Sequence, residues 1–108
     1  MCQEYEMFIV EILLPRFDND RNPFPYSSYD RVRRELTERF GGVTAFVRSP
    51  ALGVWENRHG VVQTDEILIF EVMVEELDRL WWKAYQMQLR TDFRQEELVL
   101  RATESTRL

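Results

Sequence analysis

The sequence predicts an α+β domain of element order βαββαβ, and three observations carry that reading. "MFIVEILL" (7–14), "VTAFV" (43–47) and "ILIFEVMV" (67–74) are short apolar runs of strand length, rich in β-branched and aromatic residues. "SSYDRVRRELTERF" and "EELDRLWWKAYQMQLR" instead place apolar residues at helical spacing. Between them lie stretches dense in Asp, Asn, Pro and Gly, which break regular structure.

Each element has its own local reason. The first strand is checked by Pro15, and "RFDNDRNPFPYSS" must be loop. Ser27 or Ser28 can N-cap the first helix with Asp30 in its first turn. Tyr29, Val32, Leu36 and Phe40 share a face, and Gly41-Gly42 stops the helix. The second strand runs to Val47 and is checked by Pro50, and the third is 67–74. In the second helix Leu77, Leu80, Trp81, Ala84, Tyr85 and Leu89 form the expected buried stripe, with Trp82 and Met87 off it. "ELVLRAT" closes as the fourth strand. Right-handed crossovers then give an antiparallel four-stranded sheet in the order 4-1-3-2, both helices on one face: the split βαβ or ferredoxin-like arrangement.

Composition bounds the function. A chain of 108 residues reads as a single domain, 1–108, with one core. No run approaches the roughly 18 apolar residues of a membrane span, so no membrane partner is expected. A net charge of −5 argues against nucleic acid, which needs a basic surface. The arginines of "RVRRELTER" alternate with Glu35 and Glu38, as on a solvated helix face. The lone Cys2 cannot form an internal disulfide, which fits the cytoplasm, and it reads as a terminal residue rather than a nucleophile.

The strand phases say more. Phe8, Val10, Ile12 and Leu14 share one face of the first strand, and Leu68, Phe70, Val72 and Val74 one face of the third. These wholly apolar sets belong under the helices. The opposite sets, Met7, Ile9, Glu11, Leu13 and Ile67, Ile69, Glu71, Met73, are three-quarters apolar. A sheet face open to water should alternate apolar with polar, so a second copy of the chain is expected to cover this one. Glu11 and Glu71 interrupt that face. With Arg101 and Arg48 in the same phase, they suggest a charged row Arg101–Glu11–Glu71–Arg48, either an ion-paired interface or the polar floor of a cavity.

Nineteen residues separate Val47 from Ile67, long for a plain loop. They read as a hairpin arm at about 49–66, Gly53-Val54-Trp55 pairing with Val61-Val62-Gln63 around a turn closed by Gly60. Trp55 is the natural anchor for a partner subunit. His59, with Asp65 or Glu66 to orient it, is the candidate catalytic set, although a turn-tip histidine is ordinarily solvated. Trp82, off the stripe, is a candidate ligand or interface residue. One histidine and no paired Cys or His spacing give no metal site and no cofactor set.

The layout resembles the dimeric α+β barrel group of ferredoxin-like proteins. "RSPALGVWENRHG…DEILIFEVMV" with "LDRLWWKAY…FRQEE" is also similar to a family of small bacterial proteins of unknown function. That family offers no catalytic residues to transfer. The barrel group implies pairing by sheets, and its members include small monooxygenases, isomerases and sensor domains. Two functions follow as expectations. One is a non-enzymatic homodimeric module that binds a small molecule or a protein. The alternative is a cofactor-free enzyme, monooxygenase- or isomerase-like, using a pocket between sheet and helices.

Overall fold

The computed structural model describes residues 4–48, 55–56, 62–63 and 66–108. Its elements are β1 (Tyr5–Pro15), α1 (Tyr26–Phe40), β2 (Thr44–Arg48), β3 (Trp55–Glu56), β4 (Val62–Gln63), β5 (Ile67–Val74), α2 (Arg79–Asp92) and β6 (Leu100–Arg107). Four strands form one antiparallel sheet in the order β2-β5-β1-β6. This is the ferredoxin-like βαββαβ arrangement, with the expected strand order. β3 and β4 pair separately, Trp55 opposite Gln63 and Glu56 opposite Val62, inside the segment read as a hairpin arm.

The core lies where the strand phases place it. Val10, Ile12 and Leu14 of β1 and Phe70, Val72 and Val74 of β5 are buried, packed with Tyr29, Val32 and Leu36 of α1. Of the interleaved glutamates only Glu35 pairs, holding Arg31 at 3.6 Å, while Asp30 holds Arg33 at 2.8 Å and Arg34 at 3.3 Å, and Glu38 enters no ion pair among the described residues. The helix starts earlier than expected, however. Pro25 is the N-cap residue, and neither Ser27 nor Ser28 caps it. Pro25 has φ −65°, already suited to helix entry, so the first turn forms without a side-chain cap. Gly41 ends α1 at φ 83°, and its N–H donates to Thr37 O at 2.8 Å, as a glycine-terminated helix requires.

The second helix corrects the expected stripe. Trp82, Tyr85 and Leu89 are the buried residues of α2, whereas Leu80 is 83% exposed, Trp81 half-buried and Ala84 exposed. Asp78 caps the helix, its side chain accepting from Trp81 N at 3.1 Å. The face that meets the sheet continues through Phe93, fully buried just past the last turn. Phe93 packs against Phe24 (ring centroids 5.0 Å) and Tyr29 (5.5 Å). That fixes the helix about one residue round from the reading that stopped at Arg90. Trp82 stacks on Phe40 at 5.1 Å, leaving Trp81 to the rim, where Arg39 lies 4.3 Å from its ring centre.

The last strand also lies further along the chain. β6 begins at Leu100 and reaches Arg107, because Thr103–Arg107 pairs with the start of β1. Leu98, ahead of it, is buried in the core, and Val99 O accepts from Leu13 N at 3.0 Å.

Tyr29 ties α1 to the sheet end, its hydroxyl donating to Pro15 O at 2.6 Å. Burial, opposed by nearby Arg16, pushes this phenol up to about 12 from its ordinary value near 10. A raised acid is held protonated in the folded chain while the unfolded chain ionises. Stability is therefore full below about pH 10 and is lost between about pH 10 and about pH 12, by up to ~1.4 kcal/mol per pH unit. Urea midpoints measured across that window should fall for the wild type and fall less steeply for Tyr29→Phe.

Candidate functional site

Strand register arranges the open face of the sheet in rows. Glu11 lies opposite Glu71 on β5 and opposite Arg101 on β6. Glu71 in turn lies opposite Thr44 on β2. The expected charged row is thus present over three positions, but Arg48 does not end it. Arg48 pairs with Ile67, because the antiparallel β2–β5 register sets Thr44 at that point. A four-residue slip would be needed to bring Arg48 opposite Glu71, and would disrupt the pairing that holds Phe46 opposite Ile69.

Carboxylates directly opposite one another repel across roughly 4.5–5.5 Å. Arg101 offsets this, its Nε donating to Glu11 Oε1 at 2.9 Å. Glu11 is largely shielded, its side chain 20% exposed, while the Arg101 side chain is 47% exposed and stays in contact with solvent. Apolar rows flank it. On one side Leu13, Ile69 and Phe46 run across β1, β5 and β2; on the other Ile9 faces Met73. Met73 is 52% exposed and Phe46 40%, whereas Ile69 and Met7 are buried within the single chain. The uncovered apolar area is therefore smaller than the strand phases alone suggest.

At one end the face runs into a cleft of about 490 Å³. Leu13, Ile67 and Val99 carry the sheet face into it, and Phe17 adds an aromatic wall. Arg16 Nε and Glu66 Oε2 stand 3.2 Å apart at its rim. Opposite them the loop turns on Asp18, whose carboxylate accepts from the N–H groups of Asp20 and Asn22 at 2.9 and 2.8 Å. Glu66, read with Asp65 as one of two alternative orienting acids for His59, forms an ion pair with Arg16. Arg16 and Phe17 were missed. The signal for Arg16 is in the register: Pro15 pairs with Ile67, so the next position out on each strand is Arg16 beside Glu66.

Other candidates fall elsewhere. His59 and Asp65 lie outside the described residues, as does Cys2, and of Trp55 and Arg48 only the backbone is described. Trp82 is 4% exposed and belongs to the core, with one edge on a groove beside β6. Among the described residues no group of three His, Cys, Asp or Glu could hold a metal ion. No helix is long and apolar enough to cross a membrane. Tyr29 and Tyr85 are both displaced upward, Tyr85 by burial first and by the Glu35 charge second, so both phenols stay protonated further into the alkaline range than a free tyrosine. The cleft offers an apolar floor, an ion-paired rim and the carboxylate of Glu97 on its lining, which suit recognition of a small molecule with a polar or cationic end.

No family model matches the chain, and no curated protein matches it. Among solved structures it is similar to a phage SAM lyase in complex with S-methyl-5′-thioadenosine. The TM-score is 0.62 at 20% sequence identity, over 91% of this chain and 81% of that one. At that identity the likeness is one of fold.

Proposed function

We propose that this chain is a homodimeric small-molecule-binding domain of the dimeric α+β barrel type. Its protomers pair by their open sheet faces, and the ligand occupies the cleft at the end of that face. The observation that carries the reading is the face itself: the row Arg101–Glu11–Glu71 lies between apolar rows that leave Met73 and Phe46 uncovered. Pairing would bury those side chains, and the charged row would set the register between the two sheets. The cleft shares Leu13, Ile67 and Val99 with the face, so a partner would form its missing wall.

A second reading, lyase catalysis on the sulfonium nucleoside SAM, is favoured by one observation. The fold neighbour is a SAM lyase in complex with S-methyl-5′-thioadenosine. SAM carries a sulfonium cation, and Glu66 and Glu97 supply carboxylates on the lining of the cleft to receive one. Titrating the protein with SAM and with S-methyl-5′-thioadenosine, reading the methyl resonances of Leu13, Ile67 and Val99, tests the ligand site. Mass spectrometry of the incubated SAM then tests turnover. Saturable shifts at those methyls without conversion of SAM support the binding reading, and conversion supports the lyase reading. Unmoved methyls up to ~1 mM of either compound exclude this ligand class from the cleft.

A further inference from the structure

We propose a second ligand site, on the opposite side of the sheet, that takes a small apolar carboxylate. It is a groove of about 300 Å³ between α2 and the edge strand β6. Its floor is apolar: Val10 of β1, Leu100 and Ala102 of β6, and the edge of the Trp82 indole. Its rim is cationic. Arg79 and Lys83 stand one helical turn apart on the flank of α2 that faces β6, while Arg101 borders the groove with its guanidinium turned to Glu11 on the other face of the sheet.

The charge pattern points to an anion. Two cationic side chains, Arg79 and Lys83, and no acid line this groove, on a chain whose net charge is −5. Arg101 already serves Glu11. Arg79 and Lys83 are exposed, and the ion pairs formed among the described residues do not include them. The chain thus holds two adjacent cations at the mouth of an apolar slot. Glu104, the next residue of β6 in the phase of Ala102, is not part of the lining.

The floor points to a planar apolar body. β6 is the sheet edge, and Ala102 is exposed because α2 leaves this part of its helix-side face uncovered. A ring laid there would lie against Trp82 and the aliphatic side chains, with its carboxylate reaching Arg79 and Lys83. Gln86, one turn further along α2, donates its amide N–H to Leu98 O at 2.7 Å. That fixes a neutral polar group at the groove's inner end. The volume is at the small end of ligand pockets, which run from about 300 to 1,000 Å³, and limits the body to one or two rings.

Indole-3-acetate and its neutral analogue indole-3-acetamide are suitable probes, followed by two-dimensional amide and indole N–H spectra of the full chain. The acetate is expected to shift the Trp82 indole N–H, the Gln86 side-chain amide and the Leu100 and Ala102 backbone, and to bind about tenfold tighter than the amide. The variant Arg79→Gln/Lys83→Gln, altered only at exposed positions, should keep its melting temperature and lose that preference. Equal affinity for the two probes would overturn the proposal, and so would shifts confined to Met73 and Phe46. No shift up to ~10 mM acetate would overturn it too. This site shares no residue with the cleft, so its failure leaves the reading of the open face intact, and the converse holds.

Discussion

Trp82→Ala is expected to destabilise the fold by about 3–5 kcal/mol, whereas Leu80→Ala, two residues away, should change stability by less than ~0.5 kcal/mol. The contrast follows from where α2 turns its face. Trp82 is 4% exposed, stacked on Phe40 and edge-on to Trp81, so truncation leaves a void that the two helices cannot close. Leu80 is 83% exposed and loses almost nothing. Urea denaturation at one fixed protein concentration measures both, since a protein that self-associates has a concentration-dependent midpoint. Equal losses for the two variants would return the helix to the orientation its apolar spacing first suggested.

That helix shows where the sequence was legible and where it was not. Its existence and approximate span were plain from the spacing, and so was the order of the sheet. Its rotation was not, because two adjacent tryptophans offer two stripes about 100° apart, and local periodicity does not choose between them. Phe93 chooses. It lies just beyond the last helical turn, and its burial against Phe24 and Tyr29 comes from a loop and a second helix. In β1 and β5, period two alone identified the helix-side core, since one phase was wholly apolar. The same logic found Glu11, Glu71 and Arg101 on one face. It could not supply the β2–β5 register, which is why Thr44 rather than Arg48 stands beside Glu71. The cleft was less legible still. Arg16-Phe17, Glu66-Ile67 and Val99 come from three separate stretches of chain and meet only through pairing across strands.

Met73→Asp is expected to convert the protein from a dimer to a monomer while leaving the protomer folded. Met73 is 52% exposed in the single chain, so a carboxylate there is solvated and should cost the protomer less than ~0.5 kcal/mol. In a paired sheet the same carboxylate would be buried one row from Glu11 and Glu71, with each acid repeated across the two-fold axis. An uncompensated buried charge costs about 3–5 kcal/mol, which corresponds to a weakening of dimer association by more than ~100-fold. Phe46→Asp, on the neighbouring strand and 40% exposed, should act in the same direction. Circular dichroism establishes that each variant is folded, and sedimentation velocity reads its mass. A folded Met73→Asp variant that sediments as a dimer would place the contact on another surface.

The mass of the wild-type protein in solution tests the sheet-paired reading most directly. Light scattering coupled to size exclusion, at ~10 µM protomer, should give twice the chain mass of 13.1 kDa. A mass of 13.1 kDa, unchanged as concentration rises, would contradict it and leave the open sheet face bare.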